Sequence, residues 1–242
     1  MLPPTRTFRD RRHAGAAIGR ALFPYVSHPE VIVLGLPRGG VPVAFEIAAR
    51  LDVALDVLVV RKLGVPGHAR VAMGAIASGG IRVFDAEIVE AAGVSSRAFE
   101  EVIDRETVEL ERLEQVWRGA RPPAEVHGRT VILVDDGVAT GATMLAAISA
   151  LRTRKPAKIV VAIPVGAPTV CRALRAHVDE LVCLVTPEPL PAISLWYEDF
   201  YQVGDPEVRE LLDQAARTHP PGSGSGDVRE PGPYHHHPTR TA

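Results

Sequence analysis

Residues 131–143 of this 242-residue chain, V-I-L-V-D-D-G-V-A-T-G-A-T, constrain its fold more than any other segment. Four apolar β-formers lead into two adjacent carboxylates, Asp135 and Asp136, and a short loop of glycine and threonine then opens a helix-forming stretch at 144–151. A strand, a loop and a helix in this order are typical of an open α/β sheet, in which ligands bind beyond the carboxyl ends of the strands. The segment therefore predicts a parallel sheet with a site at its edge.

The loop after the two carboxylates is suited to a phosphate dianion. Backbone N–H groups from Ala139 through Thr140, Gly141 and Ala142 to Thr143, the two threonine hydroxyls and the positive end of the helix dipole can all face an anion. The carboxylates would repel that phosphate and are suited to hydroxyl donors instead. We therefore expect a ligand with a phosphate at one end and a vicinal diol nearby, as in a ribose 5-phosphate. No lysine follows the loop glycine, which excludes a Walker-type nucleotide loop.

Apolar runs and helical stretches alternate along the chain. Each run is nearly all apolar, as expected of parallel strands that are covered on both faces. The pattern predicts an α/β, doubly wound fold with a mostly parallel sheet and helices on both faces. Strands are expected at 31–34, 54–60, 131–134, 158–163 and 180–185, and helices at 42–50, 142–152 and 168–176. Residues 75–84, interrupted by Ser78-Gly79-Gly80, predict a hairpin.

The domain organisation is expected to be one domain at 1–217 with a helical insertion at about 85–120. Within the insertion, 95–118 is charged, and its apolar positions recur every three, four or seven residues, which predicts an amphipathic helix capped by Ser95 or Ser96. Its apolar face is expected to pack on the sheet or on a preceding short helix; a dimer or lid role is the alternative. Residues 218–242 are rich in proline, glycine and serine and are expected to be disordered, without a functional metal site at their three consecutive histidines.

Composition restricts the partners. The net charge is −2, from 27 basic and 29 acidic residues, so no bulk basic field favours nucleic acid. Cys171 and Cys183 have no CxxC spacing, and we expect free buried thiols in a reducing cytosol. The arginine-rich N-terminus has no apolar core of a secretory signal, and no apolar stretch approaches the length of a membrane helix. We therefore expect a soluble cytoplasmic protein.

A second anion-binding loop is predicted at 35–40, G-L-P-R-G-G, where the first strand ends and a helix begins. Gly39 and Gly40 let backbone amides approach an anion closely, and Arg38 adds a permanent positive charge. Alone, the segment is equally compatible with a tight turn; beside the acidic loop it predicts a second anion site that includes Pro37. The Leu36–Pro37 bond is an inexpensive place for a cis peptide, although trans is expected.

A third segment, R-K-L-G-V-P-G-H-A-R at 61–70, follows the next predicted strand. Arg61 and Lys62 would lie at the carboxyl end of that strand, where two cations can clamp an anion. The glycine- and proline-containing residues after them predict an irregular, mobile loop at 63–75 that could close over a ligand. His68 in that loop is either a further ligand contact or a surface residue.

These three segments resemble the motifs of the type I phosphoribosyltransferases, and the resemblance spans about 31–185. It looks closest to the predicted, uncharacterised phosphoribosyltransferases of bacteria, which also match W-Y-E-D-F near the end of the chain. The resemblance implies that Asp135 and Asp136 hold the ribose hydroxyls of 5-phosphoribosyl 1-diphosphate (PRPP) and that 139–143 holds its 5-phosphate. It assigns the diphosphate to 37–40, and its likeness to the orotate enzymes adds Arg61, Lys62 and His68 there.

The activity implied by the resemblance is transfer of the phosphoribosyl group to a nitrogenous base or another small nucleophile, with release of diphosphate. The implied catalytic residues are Asp135, Asp136, Arg61 and Lys62. Mg²⁺ is implied as cofactor, bridging ligand oxygens, with the two aspartates reaching it through water. Closure of the 63–75 loop would exclude water from the activated sugar.

The acceptor is the least constrained part of the hypothesis. Ala139 stands where the 6-oxopurine enzymes of this family have an aspartate, which argues against hypoxanthine and guanine. The resemblance implies a small acceptor-binding C-terminal hood, here 187–204, in which Trp196 and Tyr197 could stack on a planar base and Glu198 or Asp199 accept hydrogen bonds. Packing within the hood is the alternative role for these aromatic rings.

Two other classes of function remain as alternatives. A non-catalytic PRPP or nucleotide sensor would use the same pocket to control a partner, and the missing base near the acceptor favours it. A DNA-uptake accessory of the competence family has a similar acidic motif but usually carries a zinc-binding cysteine cluster, which this chain lacks. A homodimer is left open. We also expect Asp136 to face solvent, so that Asp136→Asn should weaken PRPP binding with little effect on folding.

Overall fold

The central sheet has five parallel strands in the order β2-β1-β6-β7-β8. The computed structural model describes residues 7–219, except the side chains of Ala69 and Arg70. β1 and β2 are buried along their whole length, which is why both sequences are almost uninterrupted apolar runs. The strands are β1 (Val31–Gly35), β2 (Ala54–Val57), β6 (Thr130–Val134), β7 (Lys158–Val165) and β8 (Glu180–Val185).

Helices cover both faces of this sheet, and alternate strand residues point to each face. Val31 and Val33 pack with α1, α2, α4 and α7 on one face, whereas Ile32 and Leu34 pack with α5 and α6 on the other. The predicted doubly wound α/β fold is confirmed. The helices are α1 (Arg11–Ala21), α2 (Gly40–Leu51), α3 (Ala86–Ala91), α4 (Ser96–Arg118), α5 (Ala142–Thr153), α6 (Pro168–Arg175) and α7 (Asp205–Thr218). None of the helices described is long and apolar enough to cross a membrane.

A second, antiparallel sheet contains β3 (Val60–Val65), β4 (His68–Ala77) and β5 (Ile81–Phe84). The single strand expected at 54–60 is wrong, because the chain leaves the central sheet after Val57. The hydroxyl oxygen of the buried Ser78 accepts a hydrogen bond from Val59 N at 3.0 Å, which directs the chain towards β4 instead. The hairpin expected at 75–84 is present as β4 and β5.

The loop expected at 63–75 is also wrong, because β3 and β4 form an antiparallel hairpin joined by Pro66 and Gly67, whose pairing register shifts on either side of Gly64. Proline and glycine mark the turn of this hairpin rather than a break in regular structure. The residues on either side continue the ladder, from Arg61 opposite Ile76 to Val65 opposite His68. Arg61 and Lys62 therefore lie near the start of an antiparallel strand, not at the carboxyl end of a parallel one.

The insertion consists of α3 and the 23-residue α4. The Ser95 side chain accepts a hydrogen bond from Ala98 N at 3.3 Å and so caps α4, as expected. α4 packs against β3 and α7. The guanidinium of Arg118 anchors its last turn, because it donates to Asp56 Oδ1 at 3.0 Å and to Val57 O at 2.8 Å.

Two helices of the structure were not expected from the sequence. α1 packs on α2 so closely that a Cβ at Gly15 would lie 2.5 Å from Val43 O. α7 ends at Thr218, one residue beyond the expected domain boundary; the remainder of the expected disordered tail, from 220 onward and including its histidines, lies outside the described residues. The hood, 187–204, contains a 3₁₀ helix at Ile193–Trp196, and a single β-bridge joins it to Phe8.

Candidate active site

The acidic pair lies at the carboxyl edge of the central sheet, directly after β6. The loop after β1 is pressed against it: a Cβ at Gly39 would overlap the Asp136 carboxylate, and one at Gly40 would lie 2.6 Å from Val134 O. Glycine is therefore required at both positions by space. The structure thus brings the acidic pair into direct contact with the anion-binding loop predicted at 35–40.

The two carboxyls are partly buried and interact electrostatically. Asp136 Oδ2 accepts a hydrogen bond from Arg11 Nε at 2.7 Å, and the side chains of Arg11 and Asp136 are only 6% and 13% exposed. Burial and the neighbouring Asp136 charge raise the pKa of Asp135 well above its ordinary value. Burial also raises the pKa of Asp136, although Arg11 opposes that rise. The expectation of a solvent-facing Asp136 is wrong, because α1 and the hood cover it.

The loop after the acidic pair leaves its backbone donors free. Within residues 7–219, the five N–H groups from Ala139 to Thr143 donate to no other backbone group, and α5 begins without a side-chain cap. Gly141 has φ +78°, in the left-handed region, which turns the chain into α5. Hydrogen bonds from Val138 N to Val165 O and from Ala167 N to Val138 O fix the base of the loop. Free N–H groups before a helix N-terminus bind anions in other proteins, and residues 139–143 are called the nest below.

Arg38, in the loop after β1, points across the edge of the sheet to the start of α7. Its guanidinium lies 2.7 Å from Asp205 Oδ1, which also accepts a hydrogen bond from Trp117 Nε1 at 2.7 Å. The cis peptide of this loop is Pro37–Arg38, one bond after the place that the sequence suggested. One carboxylate thus links the loop, α4 and α7.

The other predicted cations are separated by the hairpin. Arg61 contacts α4 through an ion pair with Glu106 Oε2 at 2.6 Å. Lys62 lies on the opposite face of β3, because successive side chains of a strand alternate, and it lines two other cavities. His68 is exposed beside the hairpin turn. Only Arg61 of the three lines the cleft beside the acidic pair, and a joint action of Arg61, Lys62 and His68 on one anion stays a prediction.

A cleft of about 580 Å³ opens beside the acidic pair. Asp136, Pro37, Gly39 and three arginines are among the residues that line it, and each arginine pairs with an acid from another segment. The pairs are Arg11 with Asp136, Arg38 with Asp205 and Arg61 with Glu106. The cleft therefore contains clustered cations that are already oriented by carboxylates.

The hood supports this cleft rather than offering Tyr197 to a ligand. The Tyr197 side chain is 1% exposed, its hydroxyl donates to Asp136 O at 2.6 Å, and its ring packs on Phe8 and Phe200. The expectation that Tyr197 stacks on a base is therefore wrong. Trp196 is partly buried, and its Nε1 is the one fully buried side-chain polar atom without a partner in the part of the chain that the structure describes.

Sequence reasoning missed the role of α1 in this site. A helical signal was present: Arg11, Ala14, Gly15, Ile18 and Gly19 recur at intervals of three and four, and all are buried. The stripe was inconspicuous because most of its members are small rather than strongly apolar. Asp205 and Glu106 were also missed, since charge pairs between distant segments leave no local pattern.

A divalent cation fits this site only as an ion that the ligand itself coordinates in large part. Within residues 7–219, no three side chains of His, Cys, Asp and Glu converge as a metal site. Asp136 Oδ2 is already bonded to Arg11. Mg²⁺ commonly keeps several waters and takes its other ligands from phosphates and one or two carboxylates, which agrees with this donor set.

Comparison with known proteins identifies the family. The phosphoribosyl transferase domain matches residues 10–190. Two Mycobacterium tuberculosis proteins, named "Putative phosphoribosyl transferase Rv0571c" and "Putative phosphoribosyl transferase MT0597", are each 42% identical over 212 residues, or 88% of this chain. The chain spans about half the length of these relatives, 48%.

Among solved structures, the protein TT1426 from Thermus thermophilus is 42% identical and superposes with a TM-score of 0.77. The match covers 86% of this chain and 98% of that one. The predicted resemblance to the type I phosphoribosyltransferases is confirmed, and the chain belongs to the phosphoribosyl transferase domain family.

Proposed function

We propose that the protein transfers the 5-phosphoribosyl group of PRPP to a nitrogenous base or a similar small nucleophile and releases diphosphate. One observation carries the proposal: the five consecutive N–H groups from Ala139 to Thr143, which have no hydrogen-bond partner within residues 7–219, follow closely after two partly buried carboxylates. A phosphate on the amides and a diol on the carboxylates together define a 5-phosphoribosyl group. In this proposal the Asp136 carboxylate accepts from a ribose hydroxyl while its Oδ2 stays on Arg11.

The leaving diphosphate would lie against the loop after β1. In the reaction, the nucleophile forms a bond to ribose C1, the bond from C1 to the diphosphate oxygen breaks, and the bonding electron pair leaves with the diphosphate. Arg38 and Arg61 line the cleft beside this loop and can stabilise the growing negative charge. Lys62, on the far face of β3, is not assigned this role.

Mg²⁺ is the cofactor that we propose, with Asp135 and Asp136 as the residues that would reach it through water. When bound, it supplies charge neutralisation at the diphosphate. Everything else in the site acts by position: the nest holds the phosphate, the acids hold the diol and the arginines hold the leaving group. A homodimer and a cytoplasmic location stay predictions.

The acceptor class is set by what lies beside the ribose site. Ala139 cannot exchange a proton with a purine, so we propose a base other than hypoxanthine or guanine, or another small nucleophile. Trp196 in the hood remains the candidate for stacking against it. Its unpartnered indole N–H is a donor that a ligand or a small rearrangement of the hood could use.

The test is incubation of the protein with Mg²⁺ and PRPP and a panel of bases, with diphosphate release followed continuously. Release that depends on one acceptor, and its loss in the Asp135→Asn, Asp136→Asn double variant, would support the proposal. Tight PRPP binding by calorimetry without turnover of any acceptor would reject transfer and favour the sensor hypothesis. Absence of PRPP binding would reject both.

A further inference from the structure

Arg11 is the most deeply buried cation of the cleft, and the function described so far gives it no contact with the ligand. It stands at the start of α1, with its side chain 6% exposed. Nε donates to Asp136 Oδ2 at 2.7 Å, Nη1 donates to Tyr201 O at 2.8 Å, and the guanidinium carbon lies 3.8 Å from the centre of the Phe200 ring. Two of its three nitrogens are therefore fixed by the protein.

The third nitrogen, Nη2, has no hydrogen-bond partner among residues 7–219. Among the described residues, Trp196 Nε1 is the one polar side-chain atom that is both fully buried and without a hydrogen-bond partner. Nη2 also has no partner, so it must be at least slightly exposed to solvent. Arg11 lines the cleft. A buried guanidinium is stable only when its donors are satisfied, and its planar fork is suited to phosphate oxygens. Nη2 thus belongs to a residue that lines the cleft, and no described residue of the protein accepts a hydrogen bond from it.

The position of Arg11 points to one part of the ligand. Its carboxylate partner, Asp136, is in contact with Gly39 of the loop after β1. Arg11 therefore lies one side chain away from that loop, and it shares the cleft with Arg38 and Arg61. The 5-phosphate nest is a different place, since none of the residues 139–143 lines this cleft.

We propose that Arg11 is a third arginine for the diphosphate of PRPP, with Nη2 donating to an anionic oxygen while Nε keeps Asp136 in place. The inference rests on the proposed function, which it deepens by naming a ligand contact outside the three predicted motifs. If the role of Arg11 were purely structural, it would only hold α1 and the hood against the acidic pair and would not contact the ligand. The two roles differ in which ligand they affect.

The experiment measures calorimetric affinity for two probes in Mg²⁺, PRPP and ribose 5-phosphate, which lacks the diphosphate. Arg11→Met removes the charge and retains an unbranched apolar side chain against Phe200. Arg12→Met is the matched control, because Arg12 is next in sequence but 50% exposed, paired with Glu46 and outside the cleft. It reports the general electrostatic effect of losing one arginine from α1.

We expect Arg11→Met to weaken PRPP binding by about tenfold or more, as for loss of a charge-assisted hydrogen bond, and ribose 5-phosphate binding by less than about threefold. Arg12→Met should change both by less than about twofold. If Arg11→Met does not fold, Arg11→Lys serves instead, because lysine keeps the charge but cannot hold Asp136 and the diphosphate with one planar fork. The same selective loss of PRPP affinity is expected.

Equal losses for both probes, or no loss for either, would overturn the inference and leave Arg11 a structural staple. Wild-type protein that binds ribose 5-phosphate and PRPP would at the same time keep the proposed function intact. Failure of the wild type to bind either probe would overturn the proposed function itself, and the assignment of Arg11 with it.

Discussion

Arg38 and Asp205 form an ion pair of 2.7 Å that joins the loop after β1 to the first residue of α7. Asp205 Oδ1 is shared with Trp117 Nε1, so the same carboxylate also holds the end of α4. In the proposed reaction the diphosphate would compete with Asp205 for Arg38. Asp205 would then act as a resident substitute for the ligand's negative charge.

Replacing Asp205 with asparagine should therefore tighten PRPP binding by about three- to tenfold, because a neutral amide releases Arg38 more readily than a carboxylate does. The amide oxygen can still accept from Trp117. Titration calorimetry measures the change. Asp213→Asn is the control, since Asp213 pairs with Arg121 instead. Weaker binding in Asp205→Asn would mean that the carboxylate positions Arg38 for the ligand.

Asp136→Asn should abolish measurable PRPP binding and also destabilise the fold, contrary to what the sequence alone suggested. The neutral side chain leaves the buried Arg11 without its counter-charge, and the cost is about 1–3 kcal/mol in the free energy of unfolding. Urea denaturation and calorimetry measure the two effects. The exposed Asp104, changed to asparagine, should alter neither. Unchanged stability in Asp136→Asn would contradict the importance of the buried pair.

Gly141→Ala should remove binding of ribose 5-phosphate and PRPP alike, because a Cβ there would lie 2.7 Å from Val170 Cγ1 and would displace the amides of the nest. Gly128→Ala is the matched control, since Gly128 also has a positive φ, +68°, but a Cβ would meet nothing within 4 Å. Both variants should lose about 1 kcal/mol of stability from backbone strain. Only Gly141→Ala should lose affinity for ribose 5-phosphate and PRPP. Equal affinities in the two variants would contradict the assignment of residues 139–143 as the phosphate-binding nest.

The buried pair of Arg118 and Asp56 should matter more to folding than any exposed ion pair of α4. Both side chains are less than 5% exposed, and Asp56 Oδ2 also accepts from Ala124 N at 2.9 Å. Arg118→Met leaves that carboxylate buried without a counter-charge and should cost about 3–5 kcal/mol in urea denaturation. Arg112→Met, which breaks an exposed pair with Glu109, should have little effect. Similar midpoints for both variants would refute this.

The two thiols should be unreactive in the folded protein. Burial and the adjoining Cys171 raise the pKa of Cys183 to about 12, and Cys171 is itself buried. A raised thiol pKa keeps the sulfur protonated at neutral pH, and the thiolate is the nucleophile. A chromogenic disulfide reagent should therefore react at least about a hundredfold more slowly than with free cysteine, and should detect both thiols in denaturant. If either thiol of the native protein reacted as fast as free cysteine, the predicted protection of Cys171 and Cys183 by burial would be contradicted.

Much of the fold could be predicted because its central strands are buried on both faces. β1, β6 and β7 are continuous apolar runs, and each is followed by a clear helical stretch. The boundary between β2 and β3 could not be read in the same way, since Val57, Leu58, Val59 and Val60 are all apolar and buried or nearly so. Where the chain changes sheets depends on Ser78, a distant side chain that hydrogen bonds Val59.

The candidate site also contains parts that the sequence predicts and parts that it does not. Order and spacing were enough to place the segments whose chemistry is local. These are the acidic pair, the nest and the glycines after β1. Arg61 and Lys62 line different cavities, which their adjacency in sequence did not indicate, because adjacent residues on a strand face opposite ways. Arg11, Asp205 and Glu106 act only through partners far along the chain, so nothing beside them in sequence marks their role.

Arg11 meets Asp136 and the Tyr201 carbonyl across 125 and 190 residues of sequence. During synthesis, α1 and α2 emerge early and can dock on one another, but the carboxylate for Arg11 follows only after more than half of the chain, and the last acceptor later still. In a nascent chain that ends before the hood, the Arg11 guanidinium therefore lacks its acceptor Tyr201 O, and the cleft is incomplete. In the proposed function, PRPP would therefore bind only after the hood has been synthesised.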